Sequence, residues 1–495
     1  MACPSCLLVF LAVLAQALPV LSPDAARADT PQTVSASVGA GATGQPMGPG
    51  FVGVSMEYSA VHDYTGSDPL AIDPVLVHLL RALAPGQQPV LRIGGNSSDQ
   101  TWWPLRGQLA PPGIRYTLTP GWARTTQALA RATHAHLILG INLAAGRPAL
   151  AAEEARALVQ SIGRSYIAAL EIGNEPDVYN QFPWYVGRGL SYYARPQDYD
   201  LSLYIQDFTR WGAAMPSLPL AGPAFAELTW LSGLGQFIAA EPRVGIVTVH
   251  RYPLRGCVSD PIVPGFASID SLLADSSSSG MAQTLAPYVQ VVHGDHLPFR
   301  VGEMNSASCK GRLGVSNTFA ASLWVLDTLF NLAAIGVDGV NVHTLPGAPY
   351  ELFSFQHTRR GWRAFVHPEY YGMLLFAQAF PPGAQLLPVS APSGPVKIWA
   401  TRSSTGRTRI VLINKSTTDS ADVTLQVPAA GGAASLEWLR APSVSATAGV
   451  TLGGRGFGHW TSTGVLPRPR TTPIRAVSGS YTITLPAASA VLLTQ

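Results

Sequence analysis

The sequence predicts an α/β fold: a (β/α)8 TIM barrel followed by a C-terminal antiparallel β-sandwich domain. Continuous apolar runs alternate with helix-like stretches up to about residue 380, eight such runs occur, and shorter strand-like segments follow Pro381. Continuous apolar runs are typical of strands buried on both faces of a parallel sheet, and eight of them with intervening helices close a barrel. A doubly wound open sheet is the alternative, but no glycine-rich nucleotide motif follows the first run.

The predicted strands and helices alternate along the chain. The strands are Phe51–Met56, Pro89–Ile93, His136–Ile141, Ala168–Ile172, Leu218–Ala221, Val244–Val249, Phe299–Val301 and Val337–Val342. The helices are Pro74–Ala84, Pro120–Ala132, Ala151–Ile162, Tyr199–Met215, Leu228–Ala240 and Thr318–Ile335. The serine-rich segment Ser276–Gly280 is expected to be a short flexible loop.

Composition shifts set the expected domain limits. We expect a signal peptide at 1–28, an N-terminal strand segment at 29–48 that joins the sandwich, the catalytic barrel at 49–380 and the sandwich at 381–495. Apolar and polar residues alternate in the expected sandwich strands. These are Thr33–Val38, Val396–Ala400, Arg409–Asn414, Ala421–Val427, Ala434–Leu439 and Tyr481–Leu485.

The N-terminus has the pattern of a secretory signal. Cys6–Leu18 is apolar, and Ala26-Arg-Ala28 resembles a cleavage site. The run is shorter than the roughly 20 residues that span a bilayer, and no later segment is long enough, so we expect no stable membrane insertion. The sequence therefore predicts a secreted protein, extracellular or periplasmic, cleaved near Ala28. Cys257 and Cys309 would remain, and in an oxidising compartment we expect them to form a disulfide.

Charge and ligand spacing exclude several classes of partner. Charged residues make up 12% of the chain and the net charge is +3, with no basic run, so no nucleic acid is expected as a partner. No cluster of histidine, cysteine and carboxylate residues has the spacing of metal ligands. We expect no metal site and no organic cofactor.

Polar residues occur at the C-terminal ends of most predicted strands, the ends that form the active-site rim of such a barrel. The fifth run, ending at Gly222-Pro223, is the exception. The polar positions are Glu57, Arg92, Asn96, Asp99, Asn142, Asn174, Glu175, His250, Tyr252, Glu303, Asn305 and His343. Their recurrence at one end of successive strands predicts an active site there.

Two carboxylates at this rim, Glu175 and Glu303, fit glycoside hydrolysis. One acid protonates the leaving oxygen and the other attacks the anomeric carbon or activates water, and a separation of about 5 Å is the retaining geometry. Glu171 lies four residues before Glu175, within the strand, and is expected to be structural. We interpret Glu57 and Asp177 as hydrogen-bonding or sugar-contact groups.

Several motifs carry a family likeness. Ile172-Gly-Asn-Glu-Pro176, with Glu303 three barrel units later, resembles the clan of retaining (β/α)8 glycosidases. Further stretches resemble glycoside hydrolase family 79, which contains β-glucuronidases and heparanases, from about residue 50 to 380 and into the C-terminal domain. These are Leu91-Arg-Ile-Gly-Gly-Asn-Ser-Ser-Asp99, Val247-Thr-Val-His-Arg-Tyr252, Gly302-Glu-Met-Asn-Ser306 and Val315-Ser-Asn-Thr-Phe-Ala-Ala321.

The resemblance implies a role for each matching residue. Glu175 matches the acid/base and Glu303 the nucleophile. The implied substrate-binding residues are Asp99 (ring hydroxyls), Asn174 (the sugar 2-hydroxyl), His250 and Tyr252 (beside the nucleophile), and Gly347 and Tyr350 (the sugar carboxylate). Ser308 stands where some relatives have a tyrosine. A Cys257–Cys309 bridge would tie together two loops beside the nucleophile.

We therefore expect a secreted retaining exo-β-glucuronidase that removes β-linked glucuronic acid or 4-O-methylglucuronic acid from a glycan or glycoside. One alternative is an endo-acting, heparanase-like hydrolase, whose cleft would need basic residues to bind sulfates. The candidates near the rim are Arg92, Arg106, Arg188, Arg251, Arg255 and Lys310. The other alternative is a non-catalytic secreted glycan-binding protein, since fold likeness by itself does not prove activity.

Overall fold

The structure, a computed structural model, describes residues 32–428 and 433–495. The predicted signal peptide at 1–28 lies outside the described residues. Within the described ranges, eight parallel strands close a barrel and two further sheets form a separate apolar core. In that part of the chain, no helix combines the length and apolar character needed to cross a membrane.

The barrel strands neighbour one another in chain order, and the fifth strand pairs with the fourth to complete the closed ring. All eight predicted apolar runs overlap observed strands, so the predicted barrel is confirmed. The strands, numbered one to eight below, are Val52–Glu57, Val90–Gly94, His136–Ile141, Ile167–Ile172, Leu220–Phe225, Val244–Arg251, Phe299–Met304 and Gly339–Thr344.

Helices surround the barrel, and several begin where the sequence supplies a proline at the first helical position. The Asp73 carboxylate accepts from Val75 N at 2.8 Å, and the Thr119 hydroxyl from Trp122 N at 3.1 Å, so both caps satisfy amides that a helix start leaves free. The helices are Val61–Thr65, Pro74–Ala82, Pro120–Thr133, Pro148–Ile162, Leu201–Ala214, Leu234–Ala240, Ile269–Leu273, Ser279–Gln283, Ala286–Gly294, Phe319–Ala334 and Pro368–Ala379.

The serine-rich segment is not the flexible loop that we expected. Asp275–Ser277 forms a 3-10 turn and Ser279–Gln283 a helix, and Ser277 and Ser278 are buried. The Ser278 hydroxyl donates to Asp327 Oδ2 at 2.7 Å, on the long helix Phe319–Ala334. Side-chain hydrogen bonding to a neighbouring element thus orders a sequence that looks like a linker.

The second domain is a sandwich of two mainly antiparallel sheets. The smaller has four strands, in the order Val389–Ser390, Gln32–Val38, Ala421–Gln426 and Ser480–Leu485. The larger contains Gln385–Leu387, Val396–Arg402, Thr408–Asn414, Ser489–Thr494, Ala433–Arg440 and Thr451–Leu452, with Thr472–Arg475 paired beside Ala433–Arg440. Gln32–Val38 pairs in parallel with Ala421–Gln426, so a strand from before the barrel completes a sheet formed by residues after it.

Candidate active site

The carboxyl ends of strands four and seven bring Glu175 and Glu303 together. A carboxylate oxygen of each, together with a ring nitrogen of His250, lies within 4.8 Å of the other two. Both glutamates line a pocket of about 400 Å3 at the barrel mouth. Other residues lining this pocket include Glu57, Asn96, Arg115, Tyr252, His343 and Tyr350. Two acids separated in sequence therefore face one small cavity.

The backbone at Glu175 departs from the strand that precedes it. Strand four ends at Ile172, and Glu175 has φ 53° and ψ 52°, a left-handed conformation that is costly for a residue with a side chain. The Glu175 amide donates to the Ala224 carbonyl at 3.0 Å, at the end of strand five. This neighbouring strand holds the turn that presents the glutamate to the pocket.

Glu175 is placed to hold a proton. His250 Nδ1 lies 3.0 Å from Glu175 Oε1. Burial, reinforced by the negative charge of Glu303, raises the pKa of Glu175 to about 8. Burial also lowers the pKa of His250 to about 4, so its ring is neutral at neutral pH. Glu175 is therefore a carboxylic acid in the resting site, with a neutral imidazole beside it.

Glu303 is held in the opposite state. Burial by itself would raise the pKa of Glu303, but positive charge at His343, His250 and Arg92 and the Tyr252 hydrogen bond outweigh it and hold that pKa well below its usual value. Arg92 Nη1 lies 2.7 Å from Glu303 Oε2, and the Tyr252 hydroxyl donates to Oε1 at 2.8 Å. Since His250 is neutral at neutral pH, Arg92 supplies a charge that persists there. Glu303 is an ionised, oriented carboxylate.

Arg92 connects the groups below the pocket. Its guanidinium is fully buried and donates to Glu171 Oε2 at 2.6 Å, to Asn174 Oδ1 at 3.0 Å and to Ser55 Oγ at 3.1 Å, in addition to Glu303. Glu171 is fully buried as its partner. Arg92 is therefore not available as a sulfate-binding cation of the kind that the endo-acting alternative would need, because its donors are bonded to these side chains inside the barrel.

The sequence places Arg92 among the polar positions of the predicted active-site rim, but its pairing with Glu303 was not predicted. The signal that identifies it is its place inside the apolar strand Val90–Gly94. A charge buried there needs acidic partners. Two such partners from other strands, Glu171 and Glu303, then follow.

The glutamate pair and His250 also have a spacing that could hold a metal ion. Several of their atoms already take part in hydrogen bonds within the protein. Both oxygens of Glu303 accept hydrogen bonds, from Arg92 and from Tyr252, and His250 Nδ1 is bonded to Glu175. An arginine beside Glu303 supplies the positive charge that a metal would bring, so the arrangement favours proton transfer between protein groups and substrate.

The predicted substrate-binding residues fall into two groups. Tyr252 and Tyr350 line the pocket, with ring centroids 6.4 Å apart. Asn174 is almost buried, its Oδ1 accepts from Arg92, and its Nδ2 donates to Asn96 Oδ1 at 3.1 Å. The Asn174 amide keeps one further hydrogen for a ligand, so its predicted bond to a sugar hydroxyl stays a prediction.

Asp99 is placed below the pocket. One of its carboxylate oxygens accepts from the Leu143 and Ala144 amides, and the other accepts from the Asn174 amide and the Tyr179 hydroxyl. Burial nevertheless raises the pKa of Asp99. With four donors already bound, Asp99 positions the strand-four turn, and the geometry gives no support to its expected contact with sugar hydroxyls.

His250 lies beside both glutamates, whereas Gly347 differs from its expected role. His250 is 1% exposed and its Nδ1 contacts Glu175, so its predicted contact with the substrate stays a prediction. Gly347 is exposed outside the pocket lining, and its amide is hydrogen-bonded to the Glu351 carboxylate. That amide is therefore engaged within the protein, and Tyr350 is the polar residue of this loop that lines the pocket.

The predicted disulfide between Cys257 and Cys309 is confirmed, with Cα atoms 5.6 Å apart. It joins the loops that follow strands six and seven. Beside it, Leu254–Arg255 and Ala307–Ser308 pair as two short parallel strands. Cys309 itself lines the pocket, so the bridge lies in the wall next to Glu303.

Comparisons with known proteins agree with this architecture. The family model "Glycosyl hydrolase family 79 C-terminal beta domain" matches residues 398–492. A Neurospora crassa β-glucuronidase is 26% identical over 452 residues, covering 79% of this chain and 76% of that protein. An Aspergillus niger β-glucuronidase is 25% identical over 478 residues, covering 83% of each chain.

A solved structure matches over nearly the whole chain. The 4-O-α-L-rhamnosyl-β-D-glucuronidase of Fusarium oxysporum 12S superposes with a TM-score of 0.71 at 20% identity, covering 93% of this chain and 100% of that one. This likeness establishes the shared fold of barrel and sandwich. The domain match and the two fungal relatives show a glycoside hydrolase whose C-terminal domain matches that of glycoside hydrolase family 79.

Proposed function

We propose that the protein is a secreted retaining exo-β-glucuronidase that removes β-linked glucuronic acid, or its 4-O-methyl ether, through a covalent glycosyl-enzyme. One observation carries the proposal. Glu175 and Glu303 lie within 4.8 Å across a small pocket, and their environments favour opposite protonation states. Carboxylates separated by about 5 Å are typical of double displacement, whereas inverting enzymes place them further apart to leave room for water.

The first step uses Glu175 as acid and Glu303 as nucleophile. The proton of Glu175 passes to the glycosidic oxygen as the bond to the leaving group breaks, and a Glu303 oxygen bonds to the anomeric carbon. Tyr252 holds one oxygen of Glu303 and Arg92 the other, which fixes the direction of attack. The remaining hydrogen of the Asn174 amide is available to the sugar 2-hydroxyl, where a hydrogen bond strengthens in the transition state.

The second step reverses the role of Glu175. Once Glu303 is esterified its negative charge is gone, and that charge is one cause of the raised pKa of Glu175. The ionised Glu175 then accepts a proton from water, which attacks the anomeric carbon and releases Glu303. Since each step inverts the anomeric carbon, the product keeps the β configuration.

Three further facts support the substrate class and the location. Two fungal relatives are named β-glucuronidases, and the solved structure is of an enzyme named for a substituted glucuronide. A cavity of about 400 Å3 is at the small end of ligand sites, which range over roughly 300–1,000 Å3. The disulfide is of a kind that persists in oxidising compartments, which supports export.

The test is hydrolysis of p-nitrophenyl β-glucuronide, p-nitrophenyl β-glucoside and heparan sulfate by the purified full chain. We expect cleavage of the glucuronide with initial release of β-glucuronic acid, observed by proton NMR. Glu303→Gln should lower kcat by at least about 10³-fold, since the nucleophile is lost. Glu175→Gln should retain more activity on the p-nitrophenyl glycoside than on an alkyl glycoside, because p-nitrophenolate leaves without protonation.

Rescue by azide distinguishes the acid/base role of Glu175 from the nucleophile role of Glu303. As an anion that needs no general base, azide should restore turnover in Glu175→Gln and yield β-glucuronyl azide, and it should not restore Glu303→Gln. Glu437→Gln is the matched control, since Glu437 is a buried carboxylate in the sandwich. Hydrolysis of the glucoside in preference to the glucuronide would refute the substrate class, and release of internal oligosaccharides from heparan sulfate would favour an endo-acting enzyme.

A further inference from the structure

The loop after strand seven is locked to the loop after strand six by backbone contacts as well as by the disulfide. A Cβ atom on Gly256 would lie 2.2 Å from the Gly311 carbonyl oxygen, so the two backbones meet where only glycine fits. Arg312 Nη1 donates to the Val258 carbonyl at 2.8 Å, and its guanidinium lies 4.3 Å from the centroid of the Phe266 ring. These contacts fix the loop just after residues 309 and 310, and the pairing of Ala307–Ser308 with Leu254–Arg255 fixes it just before them.

At this fixed point the chain turns in an unusual conformation. Cys309 and Lys310 have φ of 57° and 69°, and Gly311 has φ of 86°. Consecutive left-handed residues with side chains are costly and persist only where the surroundings impose them. Lys310 is thereby placed in the lining of the catalytic pocket. A Cβ on Gly311 would lie 2.9 Å from the Tyr350 ring, so the turn packs beside the tyrosine predicted to contact the sugar carboxylate.

Lys310 has no partner among the described residues: no carboxylate or carbonyl group pairs with its ammonium group. The nearby acids are engaged: Glu303 with Arg92 and Tyr252, Glu175 with His250. The third pocket acid, Glu57, accepts from the Asn96 and Ser97 amides. An exposed ammonium held in a pocket wall without an internal partner is available to an anionic ligand.

We propose that Lys310 binds the carboxylate of the sugar in the pocket and selects anionic over neutral pyranosides. This inference rests on the proposed glucuronidase function and names the charged residue that gives it specificity. Tyr350, on the same wall, supplies a hydroxyl to the same carboxylate. The only other exposed cation in the described pocket lining is Arg115, which follows strand two, three strand positions away around the barrel. The disulfide acts as a positioning device, since it ends at the residue before Lys310.

The test compares p-nitrophenyl β-glucuronide with its neutral methyl ester, measured as substrate or as competitive inhibitor. For Lys310→Met we expect KM for the glucuronide to rise about 5- to 20-fold, the effect of one partly solvated charged hydrogen bond. The kinetic or inhibition constant of the ester should stay within about 2-fold of the wild-type value, because the ester has no charge for Lys310 to bind. Lys310→Arg should recover most of the loss, and added salt should weaken binding of the glucuronide more in the wild type than in Lys310→Met.

Arg106→Met is the matched control, since Arg106 is an exposed cation outside the pocket lining and has no partner in the part of the chain that the structure describes. An equal loss on both substrates would show that Lys310 only shapes its loop, and unchanged kinetics would show that it binds nothing; either result overturns the inference. A larger loss of discrimination in Arg115→Met would also overturn it. Failure of the wild type to cleave the glucuronide would refute the proposed function instead.

Discussion

Two residues of one chemical type hold opposite charge states in this pocket because their neighbours differ. Glu303 accepts hydrogen bonds from a guanidinium and a phenol hydroxyl, whereas Glu175 has a neutral imidazole and a second carboxylate as neighbours. When the environments of two acids push their pKa values apart, the acid with the higher pKa can be assigned as proton donor and the other as nucleophile. Burying Glu175 in this environment therefore costs free energy of folding at pH values where the side chain would ionise in the unfolded chain.

Because of this cost, we expect that replacing Glu175 with glutamine raises the free energy of unfolding at high pH. Its pKa rises from an ordinary value of 4.5 to about 8 on folding, so the folded chain favours the protonated form. The stabilisation from this group is complete below its unfolded pKa and is lost as the pH rises toward 8. Glutamine stays neutral. Glu175→Gln should therefore unfold at higher denaturant concentration than the wild type at pH 8, by on the order of 1–3 kcal/mol, although it is less active.

Denaturant unfolding at a series of pH values measures this difference directly. The advantage of Glu175→Gln should shrink as the pH falls and vanish near pH 4.5, where both side chains are neutral in the fold. Glu437→Gln should show a smaller advantage of the same sign, since burial raises the pKa of Glu437 to about 7. A constant difference across the range would contradict the assigned proton affinity of Glu175.

The meeting of Glu175 and Glu303 in one pocket could be predicted from the sequence because strand ends in a barrel converge by topology. The contributions of Asp99 and Gly347 could not, because they depend on which direction a side chain or amide points after the chain leaves the strand. Asp99 points inward to four donors, and the Gly347 amide bonds to Glu351. A residue at a strand end lies near the pocket because of the barrel topology. Whether its side chain or amide faces the pocket depends on the turn that follows the strand.

At the scale of elements, buried strands were predictable and some helices were not. The helix Pro368–Ala379 packs against Phe319–Ala334, and almost all of its residues are buried. A helix that is apolar on every side lacks the amphipathic period that identifies surface helices. The helices Ile269–Leu273 and Ser279–Gln283 have five residues each, too few for a helical period to be visible. Their order comes from tertiary contacts such as the Ser278–Asp327 hydrogen bond.

The disulfide gives a prediction at this scale. Cys257 and Cys309 are 52 residues apart, and a bridge over such a loop stabilises by about 2–4 kcal/mol, largely through the unfolded chain. The double variant Cys257→Ser/Cys309→Ser should lose about this free energy of unfolding and some discrimination between glucuronide and methyl ester, since Lys310 follows Cys309. Intact mass should increase by two hydrogens on reduction of the wild type. An unchanged mass would mean that the two thiols are free in solution.

At the scale of the whole molecule, the two domains are joined by a buried charge cluster. Lys415, after the sandwich strand Thr408–Asn414, lies 2.9 Å from Asp327 on the barrel helix Phe319–Ala334. Trp399 Nε1 donates to the same carboxylate at 3.0 Å, and its ring stacks on Phe330 at 5.4 Å. Since strand Gln32–Val38 also belongs to the sandwich, the chain segments on both sides of the barrel meet in one domain that packs against it.

Breaking the Lys415–Asp327 pair should destabilise the whole enzyme. Both side chains are at most 3% exposed, so Lys415→Met leaves a buried carboxylate without its counter-charge and should cost about 3–5 kcal/mol. Lys397→Met is the matched control: it removes a lysine from the partly exposed pair with Asp275 at 2.7 Å, a kind of contact worth about 0–1 kcal/mol. Thermal unfolding followed by activity should show a large loss for the first and a small one for the second. Lys415→Met/Asp327→Asn should recover part of the loss, because the uncompensated charge is then absent. Equal effects of the two single variants would mean that the buried pair does not couple the sandwich to the barrel.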